Sequence, residues 1–502
     1  MSSGVTGSNN QIKLKRIGLF LGPAAALLII LFVDFGEGTL ITKYLAGVAG
    51  LMSVWWITEA VPLAATSLIP LILFPALGIL SGKETASAYV NSTIFLFMGG
   101  FIIALAMEKW NLHKRIALYL IGKFGKSPAA IILGFMIASA FISMWISNTA
   151  TAVMMLPIGM AILFKLEDEF GIENVSKFSV ALMLGIAYAC SIGGIGTLIG
   201  TPPNLVFQRI YSISFPDKPE IVFGKWMMFA LPLSVIMLFV VWLFLTKILY
   251  KTEDSIKIDP AIIRNEYKKL GVKSFEEKAV LTVFIITALL WIFRSDLNLG
   301  VFIIPGWSNI LPKPGFIDDG TVAILMAFIL FIIPAKGSKI KGTMLLDVKV
   351  FRKIPWEIIL LFGGGFALAD GFVKSGLSDY IGSLLIGLSD VPIIIIIAAI
   401  CFTITFLTEL TSNTATAQIV LPILASLAIQ LKVDPLLLMV PATISASMAF
   451  MMPVATPPNA IVFGSDRLKV WQMAKAGLIF NLAGVIIISI FTFFLLELIL
   501  LN

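Results

Sequence analysis

The chain has 502 residues, of which 59% are hydrophobic and only 13% are charged, and its mean hydropathy is +1.00. Soluble domains average about 25% charged residues, so this composition excludes an ordinary soluble globular protein. The net charge of +7 comes from basic residues in short loops between apolar runs, which is typical of membrane proteins and unlike the single basic face of a nucleic-acid-binding protein.

The order of apolar and charged segments predicts the domain organisation. Residues 1–16 are polar, lack the pattern of a signal peptide and are predicted to form a cytoplasmic tail. Residues 17–39 are predicted to be the first transmembrane helix, because their apolar run is long enough to span a bilayer. We assign residues 40–250 to repeat 1, residues 251–277 to a charged cytoplasmic linker, and residues 278–502 to repeat 2.

Two motifs occur twice in the same order. SNTATA stands at 147–152 and, 412 − 147 = 265 residues later, at 412–417. TPPN stands at 201–204 and again at 456–459. Chance supplies one such match far more readily than several in register, so we infer two copies of one structural unit.

The loop charges predict how the two copies are oriented. The basic loop 109–127 matches the weakly charged loop 374–392, and the basic loop 338–355 matches the weakly charged loop 79–92. Because basic loops face the cytoplasm, matched loops lie on opposite sides of the membrane. The repeats are therefore predicted to be inverted, with the N-terminus in the cytoplasm and the C-terminus outside. This is the architecture of secondary transporters, whose binding sites lie near the membrane midplane.

The predicted fold is an all-α polytopic membrane protein with roughly eleven spans and further segments that do not cross fully. The apolar runs 128–164 and 392–430 are too long for one span, and a Ser-Asn-Thr sequence interrupts each of them. Ser, Asn and Thr suit helix N-caps better than helix interiors, which predicts a break between two half-length helices. The second helix then presents a positive N-terminus, with Asn amide and Thr hydroxyl donors, to an anion. A Ser/Thr kink or packing seam explains one copy equally well, but two matched copies poorly.

The TPPN motifs predict a second pair of breaks, since consecutive prolines end the preceding helix. Before the first of them, the glycine-rich run 193–200 lets backbone carbonyls turn inward, as in carriers that bind a cation at membrane depth. A proline kink without a ligand is the alternative.

No Lys or Arg occurs in 128–164 or 391–431, so a bound anion lacks a fixed counter-charge there. Moving a dianion into a negative-inside cell costs about 4.6 kcal/mol per 100 mV, at about 2.3 per charge. Co-bound Na⁺ would offset this cost, and so would one-for-one exchange of dianions.

Other classes of function are less well supported. The sequence has neither HExxH nor GxSxG, and its two cysteines and one histidine give no metal-binding pattern, which argues against an enzyme or a metal centre. A gated anion channel remains a second class. Five acidic residues near segment ends or breaks are predicted to be interfacial or paired, with Glu409 the one nearest a motif. They are Glu59, Glu108, Asp318, Asp370 and Glu409.

At the paired SNT and TPPN motifs, the sequence resembles the divalent anion:sodium symporter family, the INDY-type dicarboxylate carriers. The resemblance covers nearly the whole chain, from Trp55 to the second TPPN. It implies a plasma-membrane homodimer without enzymatic activity, with eleven spans, two re-entrant hairpins at about 128–164 and 392–430, and elevator movement of a transport domain against a scaffold. The implied activity is Na⁺-coupled transport of C4–C5 dicarboxylates such as succinate, malate, fumarate and 2-oxoglutarate. Na⁺-independent dicarboxylate exchange is the alternative.

The resemblance also implies roles for individual residues. The substrate-binding residues would be Asn148, Thr149, Thr201, Pro202, Asn413, Thr414, Thr456 and Pro457. The first Na⁺ site would use Ser143, Ser147, Asn148 and the carbonyl of Gly200, and the second would use Thr408, Thr411, Asn413 and the carbonyl of Ala455. Gln418 departs from the first copy, where Val153 stands, and is expected to affect the second cation site or the substrate length accepted.

Overall fold

The computed structural model describes residues 3–35, 40–124, 127–251, 259–298, 302–337 and 342–501. Most of these residues are helical and very few lie in strands, which confirms the predicted all-α class. The one sheet among them is a two-stranded antiparallel pair, β1 (Leu297–Asn298) and β2 (Ile303–Ile304).

The first eleven helices run from the N-terminus to the first TPPN motif. They are α1 (Ser3–Phe32), α2 (Leu40–Thr58), α3 (Leu63–Thr66), α4 (Ile69–Ala76), α5 (Gly82–Ser87), α6 (Ser92–Lys109), α7 (Leu112–Ile121), α8 (Pro128–Ser143), α9 (Asn148–Phe170), α10 (Ile172–Ile195) and α11 (Pro202–Ser214). The remaining helices are α12 (Phe223–Leu243), α13 (Ala261–Lys269), α14 (Phe275–Ile292), α15 (Asp319–Ile332), α16 (Trp356–Lys374), α17 (Leu377–Leu384), α18 (Ile393–Leu407), α19 (Asn413–Leu431), α20 (Leu436–Ser445), α21 (Pro457–Phe463) and α22 (Val470–Leu496). Short 3₁₀ turns lie at Trp307–Ile310, Pro314–Phe316, Val348–Lys353 and Ile386–Leu388, and π-turns at Phe244–Leu249 and Glu497–Leu501.

Nine helical segments within the described residues are long and apolar enough to cross a membrane. Five shorter apolar helices accompany them, and α8, α18 and α20 adjoin the motif-bearing breaks. The helix α1 begins at Ser3, inside the segment predicted as a tail, and ends at Phe32, before the predicted end at residue 39. Residues 36–39 lie outside the described part, as do residues 252–258 of the predicted linker.

The chain divides into two compact units, each assembled from separate stretches of sequence. The first unit comprises the described residues of Met1–Ile94, Leu205–Glu220 and Pro355–Ala446. Within it α1 packs along α2 and leaves large apolar side chains exposed, such as Phe20 and Phe32, as expected of a lipid-facing helix. The helix α19 packs against α16, α17 and α20.

The second unit comprises the described residues of Phe95–Asn204, Ile221–Ile354 and Ser447–Asn502. Its central helix is α10, whose apolar segment is completely buried and packs against α8, α9, α12 and α21. Tyr188 in this helix donates a hydrogen bond of 2.9 Å to the carbonyl of Phe450.

Two buried ion pairs lie in the second unit. Arg115 pairs with Glu277 at 3.0 Å, and Arg294 pairs with Asp319 at 2.6 Å. Each arginine also donates to backbone carbonyls, and Asp319 accepts from the backbone N–H of Phe223 at 3.0 Å. Because the remaining polar atoms of each pair find partners, these charges are held in the interior without an uncompensated member.

Candidate functional site

The first SNT motif separates α8 from α9, as predicted. The helix α8 ends at Ser143, and Ser147 is the N-cap of α9, where its Oγ accepts a hydrogen bond of 3.2 Å from the N–H of Ala150. Asn148 is half-buried and Thr149 is exposed at the start of α9. Both residues therefore lie where unpaired N–H groups give a helix end its partial positive charge.

Three of the four ligands predicted for the first Na⁺ site lie together. The hydroxyl of Ser143 donates to Oδ1 of Asn148 at 2.5 Å. A Cβ built on Gly194 would lie 2.7 Å from that Oδ1 and 3.0 Å from the carbonyl oxygen of Gly200. The oxygens of Asn148 and Gly200 therefore converge beside the same glycine. Ser147 is nearby in sequence, but its hydroxyl is engaged in the cap.

The glycine-rich run is required by close backbone packing. A Cβ on Gly193 would overlap the backbone of Ala140, and a Cβ on Gly200 would lie 2.5 Å from the carbonyl oxygen of Gly194. These approaches are closer than any side chain tolerates, so only glycine fits. The run thereby brings α10 and the segment after it against the first helix break.

The segment between α10 and α11 ends in a turn from Thr197 to Gly200. The N–H of Gly200 approaches the carbonyl of Thr197 at 3.4 Å and its hydroxyl at 3.1 Å. The helix α11 then begins at Pro202, which can occupy a first helical position because the N–H it lacks would be unpaired there. Thr201 is buried beside it.

The second SNT motif separates α18 from α19, again as predicted. The hydroxyl of Thr408 lies 2.6 Å from Oδ1 of Asn413 and 3.0 Å from the carbonyl oxygen of Ala446. One hydroxyl proton can serve only one of these acceptors at a time, so three oxygens converge with a single proton between them. Thr411 is not joined to this group: its hydroxyl donates to the carbonyl of Leu407 at 2.9 Å and contacts that of Thr416 at 2.6 Å.

The two SNT motifs share one contact. In each, a hydroxyl five residues before the Asn meets its Oδ1: Ser143 with Asn148, and Thr408 with Asn413. No hydrogen bond within the described residues uses the Nδ2 of Asn148 or of Asn413. These amide nitrogens are therefore donors left for a ligand.

Gln418 is completely buried one turn into α19. Its Nε2 donates to the carbonyl of Leu361 in α16 at 2.8 Å, and Gly365 leaves the space that its amide fills. The side chain therefore joins α19 to α16. The prediction that it affects cation binding or substrate length is not tested by this contact.

The second TPPN motif begins α21. Thr456 is the N-cap, and its Oγ1 accepts from the N–H of Asn459 at 3.4 Å. Before it lies a turn in which the N–H of Ala455 bonds the carbonyl of Met452 at 3.2 Å. Thr456 is buried, whereas Pro457 is exposed. Thr414, at the start of α19, is 8% exposed.

The asparagines that end the TPPN motifs are functional candidates which the sequence reasoning did not single out. Nδ2 of Asn204 donates to the carbonyl of Thr197 at 2.7 Å, and Nδ2 of Asn459 donates to that of Met452 at 3.0 Å. Both side chains are fully buried. The signal that could have found them is the motif's fourth letter, a polar residue repeated inside an apolar run.

The candidate site is built from neutral oxygens. Within the described residues, no group of three or more His, Cys, Asp or Glu could hold a metal ion. Hydroxyl, amide and carbonyl oxygens are ligands for hard cations, which fits Na⁺ better than a transition metal.

Of the acidic residues predicted to be interfacial or paired, Glu59 pairs with Lys15 at 3.4 Å, Asp318 caps α15, and Glu409 is 4% exposed.

Comparison with known proteins gives a family match over almost the full length. The model of the sodium:sulfate symporter transmembrane region matches residues 15–501. A protein of Staphylococcus saprophyticus called sodium-dependent dicarboxylate transporter SdcS is 43% identical over 486 residues, covering 95% of this chain and 91% of the relative. The protein of the same name in Staphylococcus aureus is 42% identical over 491 residues, covering 96% and 92%.

Two solved structures share the fold at low sequence identity. The YdaH transporter of Alcanivorax borkumensis matches with a TM-score of 0.55 at 13% identity, over 89% of this chain and 98% of that one. MtrF of Neisseria gonorrhoeae matches with a TM-score of 0.57 at 12% identity, over 93% and 96%. At these identities the likenesses show a shared fold and say nothing of the substrate.

Proposed function

The chain belongs to the sodium:sulfate symporter family, and from this premise we propose that it is a secondary active transporter of C4–C5 dicarboxylates driven by Na⁺. It is a multi-pass membrane protein, and we place it in the plasma membrane. The observation that carries the proposal is the matched hydroxyl–amide contact at two helix breaks, Ser143 with Asn148 and Thr408 with Asn413.

The substrate carboxylates are assigned to the free donors at these breaks. Two kinds of donor face the carboxylate oxygens. The amide Nδ2 atoms of Asn148 and Asn413 are neutral donors, and the first N–H groups of α9 and α19 carry the partial positive charge of a helix N-terminus. An anion near a helix N-terminus gains about 0.3–1 kcal/mol, and up to about 2 where it is partly buried. Thr149, Thr201, Pro202, Thr414, Thr456 and Pro457 complete the predicted substrate set.

The cations are assigned to the oxygens that face the same asparagines. Oδ1 of Asn148 with the carbonyl of Gly200 would hold one Na⁺, and Oδ1 of Asn413 with Thr408 would hold the other. Each asparagine then contacts the substrate through its nitrogen and a cation through its oxygen. Substrate and Na⁺ binding are thereby linked through one side chain.

The charge balance favours this coupling. A dianion entering a negative-inside cell costs about 4.6 kcal/mol per 100 mV, and two Na⁺ would cancel that cost. The remaining features of the proposal are inverted repeats, a cytoplasmic N-terminus, a homodimer and an elevator movement. They rest on the loop charges and on the family.

Uptake of radiolabelled succinate into proteoliposomes tests the proposal. An inward Na⁺ gradient should drive accumulation, and replacing Na⁺ with choline should abolish it. Uptake that ignores Na⁺ but requires internal dicarboxylate would instead establish the exchanger. Large single-channel currents, without stimulation by internal substrate, would establish a channel.

The asparagines provide the site-specific test. Asn148→Ala and Asn413→Ala should each abolish uptake while the purified protein remains folded. Asn174→Ala is the matched control, since Asn174 is exposed and its amide bonds the carbonyl of Phe170, away from both motifs. Normal uptake by either motif variant would refute the assigned site.

A further inference from the structure

The asparagines that end the two TPPN motifs share two contacts, and Asn204 makes a third, to the carbonyl of Ile195 at 3.3 Å. Nδ2 of Asn204 donates to the carbonyl of residue 194, ten positions earlier, at 3.3 Å and to that of Thr197, seven positions earlier, at 2.7 Å. Nδ2 of Asn459 donates to the carbonyl of Ala449, again ten earlier, at 3.0 Å and to that of Met452, again seven earlier, at 3.0 Å.

These contacts hold a turn of the same form in each copy. The turn closes through the N–H of Gly200 and the carbonyl of Thr197 in the first copy, and through the N–H of Ala455 and the carbonyl of Met452 in the second. The asparagine binds the first carbonyl of its turn. The last residue of the turn, Gly200 or Ala455, bears the carbonyl that the family resemblance assigns to Na⁺.

The chemistry leaves the amide only one orientation. Its partners are backbone carbonyls, which accept hydrogen bonds and never donate them, so the NH₂ group and not Oδ1 must face them. Both side chains are fully buried, and the Oδ1 atoms of Asn204 and Asn459 have no partner within the described residues. The amides are therefore retained for their two donors.

We propose that Asn204 is a positioning residue for the first cation site, because it fixes the turn whose last carbonyl, that of Gly200, binds Na⁺ beside Oδ1 of Asn148. The inference rests on the proposed Na⁺ coupling and extends it to a residue outside the ligand set. Outer-sphere partners of metal ligands typically contribute 10–100-fold in metal affinity. Asn204 should therefore govern Na⁺ affinity more than substrate affinity.

Na⁺ titrations of succinate uptake test this. In Asn204→Ala, the half-saturating Na⁺ concentration should rise by about tenfold or more, while the KM for succinate at saturating Na⁺ stays near the wild-type value. An unchanged Na⁺ requirement, or a parallel loss of both affinities, would overturn the inference. Wild-type uptake that ignores Na⁺ would refute the proposed function itself, so the two failures are distinguishable.

The Asp variants keep the test independent of folding. An ionised carboxylate facing two carbonyls repels them, whereas a protonated one donates to one of them. Relative to wild type at the same pH, Asn204→Asp should thus lose uptake at pH 7.5 and recover part of it towards pH 5.5. Asn174→Asp breaks a similar but exposed amide–carbonyl contact, so its uptake relative to wild type should not change with pH. If the uptake of Asn204→Asp relative to wild type does not change with pH, the inference is overturned.

Discussion

Adding one methyl group at Gly194 should disable the first cation site without unfolding the protein. The Cβ of an alanine there would lie 2.7 Å from Oδ1 of Asn148 and 3.0 Å from the carbonyl oxygen of Gly200. Ordinary contacts between carbon and oxygen begin at about 3.3 Å. The two oxygens would therefore have to retreat by about 0.6 and 0.3 Å.

The size of the effect follows from this displacement. Binding geometries tolerate errors of about 0.5 Å, and relieving such crowding costs about 1–3 kcal/mol. Without Na⁺, the two oxygens can move apart and relieve the strain. Binding Na⁺ draws them together and restores the strain, so Na⁺ affinity should fall by about 5–150-fold. The strain should appear in Na⁺ binding and much less in the melting temperature.

The assay is succinate uptake over a range of Na⁺ concentrations, with thermal unfolding of the same preparation in detergent. Gly159→Ala is the matched control: this glycine is also buried in a helix, but its added Cβ would meet only the ends of flexible side chains, at 3.2 Å or more. It should leave the half-saturating Na⁺ concentration unchanged. Gly194→Ala with wild-type Na⁺ dependence would refute the assignment of Asn148 and Gly200 to one site.

Three further variants probe two ion pairs and the buried amide of Gln418. Arg294→Met leaves Asp319 buried and unpaired, and should lower the free energy of unfolding by about 3–5 kcal/mol, measured by denaturation in detergent. Glu167→Arg breaks a half-buried pair with Arg467. It should lower the free energy of unfolding by an amount between the roughly 1 kcal/mol typical of exposed ion pairs and the roughly 3 kcal/mol typical of buried ones. The double reversal with Arg467→Glu should restore stability, and failure to do so would exclude a specific pair. Gln418→Val should cost about 1–3 kcal/mol of stability, because the carbonyl of Leu361 loses its donor, and it should leave the half-saturating Na⁺ concentration unchanged. A shift in that concentration would show that Gln418 affects cation binding.

The helix breaks could be predicted from sequence because they are local. Ser147 and Ser412 stand at N-caps, and the prolines of the TPPN motifs start helices, since those residue types decide backbone geometry within a few positions. The proline nine residues after each asparagine, Pro157 and Pro422, remains inside its helix without ending it. A proline inside a helix therefore does not mark a break in this chain, whereas the paired prolines of TPPN do.

The packing and several side-chain partners could not be predicted, because they depend on residues distant in sequence. Nothing local indicates that residues 205–220 pack in one unit with 355–446. The hydroxyl of Thr411 was assigned to a cation, whereas it contacts Leu407 and Thr416, because its rotamer lets it reach back along its own chain. That part of the predicted second site stays a prediction.

The two copies conserve contacts more strictly than side chains. Ser143 and Thr408 differ by a methyl group, yet each presents a hydroxyl to the asparagine five residues later. Gly200 and Ala455 also differ, yet each ends a turn held by an asparagine four residues further on. A purely structural kink would need only the helix break and would not need the same oxygen at the same position twice. The two copies keep the same oxygens although the side chains that bear them differ. This argues that both breaks are built around a ligand.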